Sequence, residues 1–227
     1  MIGKIIKPHK LQFKDIAIAP KKITSLSKTS VCLTRTFTFK SSQTVWTGIP
    51  VIVNSLFSRE GNAFCVDNMN TIYVSCTNPV ETLMDCIKAR CKYPNATIIA
   101  GNIVPCPEVI MKLESIVDII HIGIPKEIKN AGIDYPIASL LLESVETIRR
   151  CKSTLYIACG DVKNNQEVIK AFACGADFVF LNNPCDDNSF EDKTNQIAGL
   201  KCDMANVISY LNGDSIDILN YTDLILL

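Results

Sequence analysis

From residue 49 onward the chain alternates short hydrophobic runs with segments of helical periodicity. Continuous apolar or β-branched runs predict strands that are buried on both faces, as in a parallel sheet covered by helices. The six runs are IPVIVN (49–54), TIYVSC (71–76), ATIIAG (96–101), VDIIHIG (117–123), TLYIAC (154–159) and DFVFLN (177–182). Helical patterns occupy 79–92, 106–115, 138–151, 164–174 and 202–212. Asn78 before Pro79 predicts a capped helix start. This alternation indicates an α/β fold.

The number of strands leaves two architectures open. A complete (β/α)₈ barrel has eight strands and typically about 250 residues. AFCVD (63–67) is a candidate seventh strand, but SLFSREGNAFCVDNMN (55–70) is too short for a helix, a strand and their loops. The pattern is therefore consistent with a degenerate or incomplete (β/α)₈ TIM barrel, or with a doubly wound sheet of six strands.

Residues 1–48 follow a different pattern. VCLTRTFTF (31–39) alternates polar residues with β-branched or aromatic ones, which predicts an antiparallel ribbon. We expect an N-terminal β-ribbon arm (1–48) that packs on a single truncated β/α-barrel domain (49–227). The last segment, SIDILNYTDLILL (215–227), is apolar to its final residue, so we expect it to dock against the rest of the protein.

Composition and charge exclude several classes of partner. Hydrophobic residues make up 48% of the 227 positions, and Lys plus Arg equals Asp plus Glu at 23 each. This balance gives no electrostatic reason to expect nucleic acid or a membrane surface as a partner. No apolar run reaches the roughly 18 residues of a membrane span, and MIGKIIKPHKLQF (1–13) lacks the apolar core of a signal peptide. We expect an intracellular protein, cytoplasmic or part of a particle assembled inside the cell.

The chain has 11 cysteines but no CxxC pair. We interpret these cysteines as scattered small buried residues in a reducing compartment. His9 and His121 are the 2 histidines, so a zinc site of the usual spacing has no support and no metal is expected.

Several segments resemble GMP reductase and its relative IMP dehydrogenase. LQFKDIAIAPKKITS (11–25) and RTFTFKSSQTVWTGIPVIVN (35–54) are similar to the opening of that family, and RTFTFK followed by GIP is closer to the reductase. The likeness resumes at TIIAGNIV (97–104), VDIIHIGI (117–124), GIDYP (132–136) and VIKAFACGADFVFLNN (168–183). The resemblance implies a TIM barrel, shortened here, in a family that converts GMP to IMP with NADPH through a covalent bond between a loop cysteine and the purine.

The reactive loop of that family corresponds to HIGIPKEIKNAGIDYP (121–136). In the family a glycine-rich stretch carries the cysteine and leads to a Gly-Tyr-Pro element. This chain runs from Gly123 through PKEIKN, which we expect to be a coil, to Gly132, with no cysteine in between. The comparison therefore implies that the chain has no catalytic residue.

Several other elements of the nucleotide site are degraded, although Asn54, Gly101 and Asn102 match the family. The family's Ser-Asp-Gly-Gly element is matched by Cys159, Gly160 and Asp161, where Asp161 could instead mark the start of the helix near 164. A Gly-Gly pair is replaced by Asn182 and Asn183, whose β-carbons hinder close approach of a phosphate. The resemblance thus identifies a set of vestigial nucleotide-site positions: Asn54, Gly101, Asn102, Gly123, Gly160, Asp161, Asn182 and Asn183.

These features lead us to expect a non-catalytic GMP-reductase-like protein, reused as a structural or protein-interaction subunit of a larger assembly. An incomplete sheet leaves edges that a protein partner, a homo-oligomer or the chain's own arm must cover. We expect no cofactor. The alternative is an active or nucleotide-binding GMP-reductase-like oxidoreductase with Cys159 or Cys76 as nucleophile, and only then would NADPH bind. A nucleotide sensor without turnover is a third possibility.

Overall fold

A computed structural model describes residues 10–20, 31–53, 62–63, 70–75, 78–181 and 190–227. The strands are β1 (Ile16–Ile18), β2 (Arg35–Phe39), β3 (Thr44–Gly48), β4 (Val51–Val53), β5 (Asn62–Ala63), β6 (Thr71–Ser75), β7 (Thr97–Ile103), β8 (Ile119–Ile122), β9 (Tyr156–Val162), β10 (Phe178–Leu181) and β11 (Leu224–Leu226). The α-helices are α1 (Pro79–Lys92), α2 (Pro107–Leu113), α3 (Lys126–Asn130), α4 (Ile137–Arg150), α5 (Asn165–Ala173) and α6 (Phe190–Tyr210). Short 3₁₀ helices span Phe13–Asp15 and Ile216–Tyr221.

The central sheet is a curled half-barrel of six parallel strands with one short antiparallel strand at its edge. Its order is β4-β10-β9-β8-β7-β6-β5, and β5 is the antiparallel strand. The first parallel strand, β4, lies beside the last one, β10, as in a barrel that closes on itself. Among the described residues, no strand joins β4 to β5, and the sheet is open there. The half-barrel is consistent with the expected incomplete barrel, and the doubly wound alternative is wrong because the strand order does not reverse at a switch point.

Each of the six predicted strands is present, and α1 has the predicted bounds. The side chain of Asn78 accepts a hydrogen bond from the amide of Val80, which confirms the predicted cap. Two expectations were wrong. PKEIKN forms the helix α3, which starts after Pro125, and α6 begins at Phe190, well before the predicted 202. Of the candidate strand AFCVD (63–67), all but Ala63 lies outside the described residues, and Ala63 belongs to β5.

Alternation along the strands divides the apolar side chains between two cores. On the convex face, residues such as Ile98, Ala100 and Ile120 pack under the helices. On the concave face, Ile99 and Ile119 join an aromatic cluster. The cluster and its half-buried neighbours comprise Phe37, Phe39, Trp46, Ile52, Tyr73, Ile99, Ile119, Tyr156, Ala158, Phe178 and Phe180. Because successive side chains of a strand point to opposite faces, each face of the sheet has its own hydrophobic core.

The hairpin of β2 and β3 supplies the cover of the concave face. The Phe37 ring lies 4.3 Å from that of Phe178 and 5.9 Å from that of Trp46, measured between centroids. In contrast, β1 pairs antiparallel with β11, which confirms that the C-terminal segment is docked. An arm that forms one ribbon over 1–48 is therefore not confirmed, and the domain boundary at residue 48 stays a prediction.

A buried ion pair joins this hairpin to the start of the parallel strands. Asp118 is fully buried, and its carboxylate accepts hydrogen bonds from Arg90 at 2.7 Å, from the amide of Ile98 at 3.0 Å and from the amide of Ser42 at 3.0 Å. Arg90 also donates to three backbone carbonyls around the end of α1. One carboxylate thereby connects α1, β7, β8 and the β2–β3 turn.

Cysteines lie in more varied places than the sequence suggested. Cys86, Cys159 and Cys174 are buried, but Cys32, Cys91, Cys106 and Cys202 are exposed, so the interpretation of all cysteines as buried was wrong. None of the helices that the structure describes combines the length and hydrophobicity that crossing a bilayer requires.

Candidate functional site

The carboxyl ends of the central strands carry three rings on the concave face. The hydroxyl of Tyr73 on β6 shares a hydrogen bond of 2.8 Å with Nδ1 of His121 on β8. The imidazole of His121 packs against the ring of Phe180 of β10, with 4.4 Å between ring centroids and 34° between the ring planes. In a TIM barrel this end of the strands is where the chemistry takes place. Here the space between the strand ends is filled by side chains.

Two glycines make room for these rings. A β-carbon on Gly101 would lie 2.1 Å from the hydroxyl oxygen of Tyr73, and one on Gly160 would lie 2.1 Å from Nε2 of His121. A β-carbon at either position would force the neighbouring ring to move, so both positions favour glycine. Gly101 and Gly160 are predicted nucleotide-site positions, and in this structure their open space is occupied by the protein's own rings.

Burial keeps both polar members of the ring cluster neutral. Burial raises the pKa of the Tyr73 hydroxyl to about 12, although hydrogen bonds with Ser75 and with the Asn102 backbone act in the opposite direction. Burial lowers the pKa of His121 from its ordinary 6.5 to about 4. Nε2 of His121 is buried and has no hydrogen-bond partner among the described residues. A neutral tyrosine and a neutral histidine therefore occupy the strand ends at pH 7.

Irregular backbone marks two of the predicted site positions. Asn102 and Asp161 have positive φ angles of 27° and 57°, in the left-handed region that residues other than glycine seldom adopt. Each lies where the register of its strand shifts against a neighbour, in β7 against β8 and in β9 against β10. Such bulges redirect side chains at strand ends and are common beside active sites.

Asp161 lines a polar cavity of about 440 Å³, and its charge also acts on the ring cluster, where it raises the pKa of His121 against the larger effect of burial. It forms an ion pair with Lys129 of α3, and Lys129 also lies 4.0 Å from Asp134. Asp161 does not mark the start of α5, because Asn164 caps that helix by accepting from the amide of Glu167. The lining of this cavity is Gln12, Phe13, Lys14, Lys129, Asp134, Tyr135, Ile137, Asp161, Lys163 and Glu167.

A second, apolar cavity of about 420 Å³ lies between α1, α2 and α3. The predicted positions Asn102 and Gly123 are in its lining, together with Ile128 of α3. The amide nitrogen of the Asn102 side chain donates to the hydroxyl of Ser75 at 3.2 Å. The short segment that replaces the family's reactive loop thus contributes residues to an apolar cavity and to a polar one. Of the predicted site positions, Asn102 and Gly123 line the apolar cavity and Asp161 lines the polar one.

The cysteine proposed as a substitute nucleophile faces the wrong side of the sheet. Cys159 belongs to the core on the convex face, and burial raises the pKa of its thiol well above the ordinary value. Its sulfur donates to the carbonyl of Gly160 at 3.4 Å. Asn54, Cys76, Asn182 and Asn183 lie outside the described residues. Within the described ranges, no group of three His, Cys, Asp or Glu side chains is placed to hold a metal ion.

Sequence reasoning missed Tyr73 and His121 as occupants of the site. The signal was present, since alternation along VDIIHIG places His121 on the same face as Ile119, opposite Ile120. The two rings come from strands far apart in the chain, and only the curl of the sheet brings them together.

Comparisons with known proteins agree with this architecture. A family model described as "IMP dehydrogenase / GMP reductase domain" matches residues 53–184, more than half of the chain. GMP reductase 1 of Homo sapiens is 27% identical over 234 aligned residues, which cover 76% of this chain and 68% of that protein. GMP reductase of Caenorhabditis elegans is 27% identical over 241 residues, covering 78% and 67%.

Among solved structures, inosine 5′-monophosphate dehydrogenase from Legionella pneumophila is similar in fold. The TM-score is 0.70 at 13% sequence identity, and the match covers 96% of this chain and 98% of that chain. At this identity the likeness concerns the fold alone.

Proposed function

The chain belongs to the IMP dehydrogenase / GMP reductase family, and we propose that it is a non-catalytic member serving as a structural or protein-interaction subunit of a larger assembly. The observation that carries the proposal is the filled concave face. Tyr73, His121 and Phe180 meet at the strand ends, where a barrel enzyme needs an open pocket for its substrate.

The residues present do not fit a purine nucleotide or a nicotinamide cofactor on this face. A base placed there would have to displace the buried ring of His121 and the half-buried ring of Tyr73, which are hydrogen-bonded to each other. The glycines at 101 and 160, which would let a phosphate or a base approach the backbone, are each in contact with a side chain. The proposal therefore includes no cofactor and no NADPH.

The segment that corresponds to the family's reactive loop also favours a non-catalytic role. The stretch from Gly123 to Gly132 contains no cysteine and folds in part as α3. Removal of a covalent nucleophile lowers the rate by roughly 10⁴- to 10⁶-fold in hydrolase precedents. The buried thiol of Cys159 is a poor replacement, because the thiolate is the nucleophile and burial disfavours it.

One observation favours a second candidate, nucleotide binding without turnover. Lys14, Lys129 and Lys163 line the polar cavity together with Asp134, Asp161 and Glu167, so the cavity offers a phosphorylated ligand cations that the concave face lacks. In this candidate the ligand is a nucleotide, as in the family, but it binds in the polar cavity and not on the concave face of the sheet.

The test is a turnover assay at high protein concentration with GMP and NADPH, using a GMP reductase as positive control. Absence of NADPH oxidation supports the proposal. Turnover that is lost in Cys159→Ala but kept in Cys174→Ala, a second buried cysteine, would establish the enzyme alternative instead.

Calorimetric titration with GMP, IMP and NADPH separates the two candidates that lack turnover. Micromolar binding that is weakened at least about tenfold by Lys129→Ala favours the nucleotide-binding candidate. No binding of any of the three leaves the structural role as the function that fits.

A further inference from the structure

Helix α1 has an apolar stripe on its outer surface in addition to the face that packs on the sheet. Thr82 and Cys86 are buried on the inner face. The outer stripe consists of Val80, Met84, Ile87 and Cys91, all exposed. The spacing of four, three and four residues places these side chains in one line along the helix, as in the contact seam of a helical pair.

The stripe is too exposed for an ordinary surface helix. Val80 is 67% exposed, Met84 50% and Ile87 37%, whereas the outer face of a helix on a soluble domain is normally polar. Val80 also lines the apolar cavity, together with the exposed residues Val104 and Ile133. The stripe and the cavity rim therefore form a continuous apolar surface of the kind that marks a protein contact.

Charges beside the stripe indicate what covers it. Glu81 and Asp85 flank its first half, and Lys88 and Lys92 flank its second half. Glu81 and Lys88 each follow a stripe residue by one position, so they lie on the same side of the seam. In an antiparallel pair of α1 helices, Glu81 of one copy faces Lys88 of the other, twice by symmetry; Lys88 also pairs with Asp85 of its own helix at 2.8 Å. In a parallel pair Lys88 would face Leu83 of the other copy, and this pairing of opposite charges would be lost.

We propose that α1 is the docking surface for α1 of a second copy of this chain, in an antiparallel two-fold pair. Val80 then lies beside Cys91 of the second copy, and Met84 beside Ile87 of the second copy. A 14-residue helix is about 21 Å long, so the pair lies near the lower end of stable interface sizes. The dimer is accordingly expected to dissociate at roughly micromolar concentration.

The α1 dimer is a specific form of the protein-interaction role proposed above, and it rests on that proposal. The two can fail separately. Turnover of GMP would overturn the non-catalytic role and leave the dimer intact, whereas a monomeric protein would overturn the dimer and leave the turnover result unchanged.

Sedimentation equilibrium of the full chain tests the contact. The wild type is expected to self-associate, and Met84→Glu to raise the dissociation constant at least about 100-fold because a charge is buried twice in a two-fold interface. The matched control is Val45→Glu on the β2–β3 hairpin, 65% exposed, which is expected to leave association unchanged. A monomeric wild type, or equal effects of both variants, would overturn the proposal.

Two further variants test the antiparallel geometry. Glu81→Lys is expected to weaken the dimer, and adding Lys88→Glu to restore it. Under mild oxidation Val80→Cys is expected to form an intermolecular disulfide with Cys91, identified by peptide mass spectrometry. A Cys91–Cys91 disulfide in the wild type would show that the helices pair in parallel. A dimer whose dissociation constant does not respond to the charge exchange would show that another surface forms the contact. Either result contradicts the proposal.

Discussion

Protonation of His121 is expected to couple the stability of this fold to pH. Burial lowers the pKa of the folded-state imidazole to about 4, while the unfolded chain has the ordinary value of 6.5. Below pH 6.5 the unfolded chain therefore binds a proton that the folded protein excludes. The contribution of His121 to stability is fully present above pH 6.5, and it is lost as the pH falls toward 4.

The magnitude follows from the difference between the two pKa values. One pKa unit corresponds to about 1.4 kcal/mol, so the complete loss is about 3 kcal/mol near pH 4, and about 2 kcal/mol is lost by pH 5. For a domain whose total stability is of the order of 5 to 15 kcal/mol, this loss is measurable by denaturant unfolding.

Asp177 acts in the opposite direction and determines the design of the experiment. Burial raises the pKa of this carboxyl to about 6, against a hydrogen bond from the Ile157 amide and the charges of Arg35 and Arg149, which lower it. The folded protein then binds a proton before the unfolded chain does, so this group adds stability as the pH falls from 6 toward 4. The pH dependence of the wild type alone is a sum of both effects.

The assay compares urea unfolding of the wild type and His121→Asn at pH 7.5 and pH 5.0. Fluorescence of Trp46, the 1 tryptophan of the chain, reports on the concave cluster, because its ring lies 5.7 Å from that of Phe178. The difference in unfolding free energy between the two proteins should shift by about 2 kcal/mol between the two pH values, in favour of the variant at pH 5.0. His9→Asn, which removes the other histidine, is the control.

A difference between wild type and His121→Asn that is the same at both pH values would refute the reasoning. It would mean that the imidazole is not held neutral by burial. The same difference in His9→Asn would assign the pH dependence to the other histidine.

Two substitutions test the packing of the strands. Gly160→Ala should lower the unfolding free energy by roughly 1 to 3 kcal/mol, because the new β-carbon contacts His121. Gly199→Ala lies in open space within α6 and should raise the unfolding free energy by about 0.5 to 1 kcal/mol. Equal effects of the two substitutions in urea unfolding would contradict the geometry. Arg90→Ala should lower it by about 3 to 5 kcal/mol because Asp118 stays buried without its cation, and an effect below about 1 kcal/mol would show that the pair is solvated.

Local signals predicted much of the fold. The strands follow from continuous apolar runs, and α1 follows from helical periodicity together with the Asn78 cap. These signals are encoded within a few neighbouring residues. The first half of α6 carries many polar residues and was not predicted as helix. Among the residues of that helix whose side chains are described, Leu200, Met204 and Ile208 are buried, from its midpoint onward.

The candidate site was harder to predict because its content depends on distant residues. The missing cysteine between Gly123 and Gly132 can be read from the sequence. The filling of the strand ends cannot, because Tyr73 and His121 are 48 positions apart and meet only when the sheet curls. The two faces of β9 were also confused, since Cys159 was considered as a nucleophile although it faces the helices.

The pairing of β4 with β10 has a consequence for the order of folding. Strand β4 is three residues long, and in the described part of the chain its partner is β10, more than 120 positions later. The ends of so large a loop must meet before the contact stabilises anything, which slows folding. Strands β6 to β9 can assemble from sequential neighbours, so the seam between β4 and β10 is expected to form last.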